Sequence, residues 1–188
     1  MSKEEMRKKM AELYELEEEY LKDIPDSVYQ AINDKIKEYE STDPIHNKVY
    51  ADEMFKIAYE SQQKEIQSIY QLNKMLKTIQ EFKETTMESQ HDLNDKYSRL
   101  KVETLDLMAT VDYIKYDITN EDVLTLIDDK IPLIEDKISE AYIDRLDDTY
   151  NRYGKGDINK QIQKMNDRFE GNILKETDMD YQADLSIY

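Results

Sequence analysis

Apolar residues fall into long runs of three- and four-residue steps along most of this chain, the mark of amphipathic helices. Met6, Met10, Leu13, Tyr20 and Ile24 follow that spacing with only Glu17 interrupting it, and predict a helix over 3–22 that Pro25 ends. Asp26 is placed to cap a second helix over 27–40, with Val28, Ile32, Ile36 and Tyr39 on one face. The segment STDP at 41–44 reads as a turn.

From Ile45 to Ile118 there is neither glycine nor proline. One helix over 45–118 would be roughly 110 Å long. Strict heptad stepping from Leu72 runs through Leu76, Ile79, Lys83, Thr86, Gln90, Leu93, Tyr97, Leu100, Thr104, Leu107, Val111, Ile114 and Ile118. Such a row predicts coiled-coil-like packing. Its polar members Lys83, Thr86 and Gln90 are consecutive, so the seam is weakest over 83–92, where a break would close a compact bundle instead.

Thr119 and Asn120 precede Glu121 and Asp122, a cap followed by acids in the first turn, so the chain is expected to reverse there. The next helix, 120–152, carries Leu124, Ile127, Ile131, Ile134, Ile138 and Ala141 in register. Pro132 lies inside that row and predicts a kink, or two helices abutting at Lys130–Ile131. Gly154 and Gly156 stop the helix; a last short helix is expected over 158–170, and 172–188 reads as a tail.

The expected fold is therefore all-α: a single elongated helical domain over 1–171, built on a long central helix with antiparallel hairpin packing. Helix 120–152 would cover the C-terminal half of the central helix, and the first two helices its N-terminal half. The packing seam comprises Leu72, Leu76, Ile79, Leu93, Leu100, Leu107, Val111, Ile127, Ile131, Ile134 and Ile138. That seam is longer than 120–152 can cover alone, so the stretch 72–90 should hold the first two helices or pair with a second copy as a homodimer.

Composition narrows the function classes. Three glycines and three prolines in 188 residues leave few turns for a loop-rich enzyme. The absence of cysteine excludes disulfides and thiolate metal sites. The N-terminus has no apolar stretch of the secretory kind and no run approaches a membrane span, so a cytoplasmic location and no membrane contact are expected.

A net charge of −17 disfavours direct binding to nucleic acid and favours a protein partner with a basic surface. The charge is uneven: 101–150 hold 14 acids against 5 bases, while 44–80 hold 4 against 5. Acids beside the stripe of 120–152 form a candidate interaction face: Asp128, Asp129, Glu135, Asp136, Asp144, Asp147 and Asp148.

Candidate chemistry is sparse. Glu88-x-x-His91 is half of the pattern that di-iron bundles use, but the other histidine, His46, lies beside a proline turn. No glycine occurs before Gly154, which excludes a calcium loop of the EF-hand type upstream of it. No catalytic residue, cofactor or metal is expected. Fifteen tyrosines suit both core edges and protein interfaces, with Tyr20, Tyr39 and Tyr97 on the stripes. The cysteine-free, lysine-, tyrosine- and isoleucine-rich composition is common among proteins of low-GC bacteria and their phages. The expectation is a non-catalytic interaction or assembly protein, phage-related; the alternative is an acidic mimic of nucleic acid that inhibits a nucleic-acid-binding protein.

Overall fold

The computed structural model describes residues 1–42, 50–153 and 165–167, and all the regular structure among them is helical. The helices are α1 (Lys3–Tyr14), α2 (Asp26–Thr42), α3 (Ala51–Glu60), α4 (Gln63–Glu84), α5 (Gln90–Ile114) and α6 (Glu121–Tyr153). Short 3₁₀ turns lie at Glu18–Leu21 and Lys115–Asp117. The chain is thus an all-α helical bundle. Residues 165–167 are helical, and 41–42 of the expected turn 41–44 belong to the end of α2; residues 43–44, His46, the rest of the expected helix 158–170 and the tail 172–188 lie outside the described residues.

Several expected helix bounds are corrected. The helix over 3–22 stops at Tyr14 because Glu15 takes a left-handed conformation, φ 54° and ψ 40°. Leu13 and Tyr14 are both half-buried just before that reversal, and the Tyr14 ring stacks on Tyr59 with centroids 4.0 Å apart. The 3₁₀ turn then returns Tyr20 and Leu21 to the core, and Ile24 follows them. Asp26 is the first residue of α2 rather than a residue before it, and its carboxylate accepts from Lys3 Nζ at 2.7 Å.

The continuous helix over 45–118 is also corrected, since its described part is broken twice. At Ser61–Gln62 the Ser61 hydroxyl donates to the Ala58 carbonyl at 2.6 Å, and the Gln62 amide closes a tight turn on Tyr59 at 2.8 Å. Such local bonding competes with the helical ladder. The second break, at 85–89, falls on the polar stretch of the seam. Thr85 turns its hydroxyl back to the Glu81 carbonyl at 2.7 Å. Ser89 then caps α5, accepting from the Asp92 amide at 3.1 Å, while the Asp92 carboxylate accepts from the Glu88 amide at 3.0 Å. These bonds satisfy amides that a helix start leaves without partners. Met87 is buried beneath this turn.

Of the two outcomes expected at Pro132, the pair of helices abutting at Lys130–Ile131 is corrected. It neither ends α6 nor divides it: the helix runs unbroken from Glu121 to Tyr153. Proline removes the donor that would meet the Asp128 carbonyl four residues back. Both Pro132 and Asp128 are exposed, on the side of the helix away from Ile127 and Ile134. Water can therefore serve the freed carbonyl there. The start of α6 is fixed by Asn120, whose Oδ1 accepts from the Asp122 amide at 3.0 Å.

The described chain divides into two compact units, Met1–Lys74 with Val111–Lys130, and Met75–Thr110 with Ile131 onward. In the first, α2 packs on α1 and on α3. Its core holds Met6, Met10, Leu21, Val28, Ile32, Phe55, Tyr59, Ile66, Ile69 and Leu72, joined by Val111, Ile118, Val123 and Ile127. Tyr29 is buried among them and donates to the Leu21 carbonyl at 3.0 Å; burial pushes its hydroxyl up to about 12. Asp23 ties three segments together, accepting from Asn73 Nδ2 at 2.7 Å and pairing with Lys130 at 2.5 Å.

The second unit packs the end of α4, most of α5 and the remainder of α6. Thr104 lies 3.4 Å from the Met75 sulfur, and the Phe82 and Tyr97 rings are 6.4 Å apart, so α4 and α5 run antiparallel. Tyr142 donates to Asn94 at 3.1 Å, and Lys83 pairs with Asp144 at 3.2 Å. The core is Met75, Ile79, Phe82, Leu93, Leu100, Ile134, Ile138, Ala141 and Leu146. Thr104 and Thr149 are buried too, but each returns its hydroxyl to the carbonyl four residues back at 2.7 Å.

Of the expected seam, Leu72, Ile79, Leu93, Leu100, Val111, Ile127, Ile134 and Ile138 are buried, and Leu76, Leu107 and Ile131 are half-buried. Leu72 and Ile79 reach that state within one copy of the chain.

Candidate interaction surface

The seven acids singled out along α6 fall into three groups. Asp128, Asp144 and Asp148 are engaged within the chain, with Lys115 at 3.8 Å, Lys83 at 3.2 Å and Arg145 at 3.7 Å. Glu135 is half-buried rather than on an outer face; burial, then the neighbouring Asp136 charge, raises its carboxyl above the usual range. Asp129, Asp136 and Asp147 are exposed.

Glu140 belongs with the exposed group although its spacing did not single it out. In the second unit Asp136, Glu140 and Asp147 follow steps of four and seven, which place them on one helix face. None of the three has an ion pair among the described residues. Heptad bookkeeping alone cannot separate them from Asp144 and Asp148, because it does not say where Lys83 and Arg145 will stand.

A second surface lies in the first unit, at the end of α5. Tyr113 and Tyr116 are 79% and 81% exposed, the most open of the large apolar side chains on the described surface. They are three residues apart, hence neighbours on one face. Between them Lys115 turns toward carboxylates, 3.5 Å from Asp112 and 3.8 Å from Asp128. Lys64 pairs with Asp117 at 2.8 Å; that bond, then the Asp117 charge, raises its ammonium above the usual lysine range, with smaller contributions from Glu65 and Tyr113.

The tyrosines on the expected stripes, Tyr20, Tyr39 and Tyr97, are less open than this pair. Tyr20 is buried edge-on against Tyr70 at 5.5 Å, Tyr39 is half-buried, and Tyr97 is half-buried with its ring 4.0 Å from Tyr142. The signal that could have found Tyr113 and Tyr116 is their position off the row Val111, Ile114, Ile118.

A shallow depression on α5 is lined by Asp95, Ser98, Arg99, Val102 and Glu103. Its apolar floor is Val102, and Arg99 is held to Asp95 at 2.8 Å along the same helix. His91 is exposed, and among the described residues no group of three or more histidine or acidic side chains is placed to hold a metal. Among the same residues no helix is long and apolar enough to cross a membrane. No family model matches the chain, and neither the curated proteins nor the solved structures compared with it give a match.

Proposed function

We propose that this chain is a non-catalytic interaction or assembly protein that binds a protein partner. The observation that carries the reading is the contrast between the heptad residues and the Tyr113–Tyr116 pair. Most seam side chains are consumed inside the two cores, whereas two large aromatic rings stand in water. Tyrosine left in the open costs burial energy, and it is enriched where proteins meet.

The acidic face of α6 supports a second reading, a surface that occupies a basic nucleic-acid groove on another protein. What favours it is the exposed set Asp136, Glu140 and Asp147, whose carboxylates have no ion pair among the described residues.

The two readings separate in one experiment. The immobilised full chain is offered a lysate of the cells that produce it, beside a Tyr113→Ala/Tyr116→Ala variant and an Asp136→Lys/Glu140→Lys/Asp147→Lys variant. The interaction reading expects a saturable protein partner that survives moderate salt and the charge reversal. Loss of the partner on charge reversal, with a steep salt dependence, establishes the second reading instead. Failure of the full chain to retain any partner specifically removes both.

A further inference from the structure

We propose that Tyr113 and Tyr116 form a docking surface for arginine side chains on a basic segment of the partner. This rests on the interaction reading and names the chemistry of its partner. Over residues 111–130 the first unit carries six acids, Asp112, Asp117, Glu121, Asp122, Asp128 and Asp129, against two bases, Lys115 and Lys130. Both bases are engaged by carboxylates. Lys130 is bound to Asp23 at 2.5 Å, and Lys115 leans toward Asp112 and Asp128. The nearby Lys64 is held by Asp117. The segment that carries the rings therefore has an excess of negative charge, and the Lys64 cation near Tyr113 is already paired.

An aromatic face attracts a cation, and neighbouring carboxylates add to that attraction. Arginine suits such a surface better than lysine. Its guanidinium is planar, stacks on a ring and sheds water more readily, and its fork can reach a carboxylate while it stacks. A second copy of the chain is a poor occupant, because each copy brings a net charge of −17. Nucleic acid is repelled for the same reason.

The test uses the full chain and two labelled peptides of equal length and charge, one with spaced arginines and one with lysines in their place. Fluorescence anisotropy gives their affinities at physiological ionic strength. The arginine peptide should bind the wild type more tightly than the lysine peptide. In Tyr113→Ala/Tyr116→Ala its affinity should fall by about tenfold, or about 1.4 kcal/mol, and the preference for arginine should vanish. Tyr113→Phe/Tyr116→Phe, which keeps the rings, should retain both. Because the side chains are exposed, circular dichroism should show unchanged helix content in every variant.

Equal binding of the two peptides by the wild type, or an alanine variant that binds as the wild type does, overturns the proposal: diffuse attraction to an acidic surface would then suffice. No binding of either peptide also overturns it. The interaction reading falls separately, only if the lysate experiment yields no specific partner.

Discussion

Arg145 of α6 donates through Nη1 to the Thr85 carbonyl at 2.9 Å, so the turn that breaks the central stretch is tied to a residue 60 positions later in the chain. The same guanidinium lies 3.7 Å from Asp148, and its Nε is buried without a hydrogen-bond partner. Truncation to Arg145→Ala removes that charge-assisted bond, while the exposed Thr85 leaves its carbonyl open to water. A loss of about 1–2 kcal/mol is expected in urea unfolding. Arg145→Lys should recover little of it, since a lysine lacks the fork that reaches Thr85 and Asp148 together.

Pro132 stands inside an unbroken helix on its exposed side. Pro132→Ala restores the donor to the Asp128 carbonyl and should raise stability by about 1–2 kcal/mol, part of the ordinary interior proline cost of about 3 kcal/mol. The melting temperature reports it. A fall in melting temperature would mean that the proline is needed for the path of α6.

The two residues that follow Pro132 should differ sharply. Ile134 is 0% exposed and Leu133 is 42% exposed. Ile134→Ala leaves a cavity and should cost about 2–4 kcal/mol. Leu133→Ala should stay within about half a kcal/mol of wild type. Similar losses for the two would show that α6 is rotated from the orientation described.

Acid titration should single out Asp92. Its carboxyl is held below the ordinary range first by the Glu88 amide and then by Lys96. A carboxyl depressed in the folded state contributes stability above its unfolded pKa and loses it as pH falls through the folded value. The stability gap between wild type and Asp92→Asn should thus be full at pH 6 and close below about pH 4. Glu135 has the opposite sign: its raised carboxyl favours the folded state when protonated, so Glu135→Gln should stabilise at neutral pH and converge with wild type in acid.

Glu15 holds a left-handed conformation that a side chain with a Cβ adopts at a cost of about 1 kcal/mol. Glu15→Gly should raise the melting temperature slightly, glycine's extra freedom in the unfolded chain offsetting part of the gain. Glu15→Val should lower it by several degrees. If the valine variant melts with the wild type, the end of α1 does not have this geometry.

Much of the helical content was legible in the apolar spacing. The row through Ile127, Ile134 and Ile138 marks the buried face of α6, and Asn120 caps it as its position suggested. The weak stretch at Lys83, Thr86 and Gln90 brackets the break at 85–89. Other breaks were hidden. Nothing in spacing alone shows that Ser61 will bond the Ala58 carbonyl, or that Glu15 will turn left-handed, since both depend on what packs against Tyr59 and Tyr14. The acidic face was half legible. Sequence places acids beside the stripe of α6, but whether each meets a cation is decided by helices distant along the chain, as Asp144 and Lys83 demonstrate. Exposure of Tyr113 and Tyr116 is likewise a property of the assembled chain.

The interleaving of the two units bears on biosynthesis. Residues 1–74 emerge first, yet Val111, Ile118, Val123 and Ile127 belong to the same core. That core cannot close on the ribosome until residues 75–110, which belong to the other unit, have already emerged. Nor is either unit a contiguous piece of polypeptide. No single scission releases one intact, so a protease cut or a premature stop near residue 110 should send the whole product to degradation rather than leave a folded half.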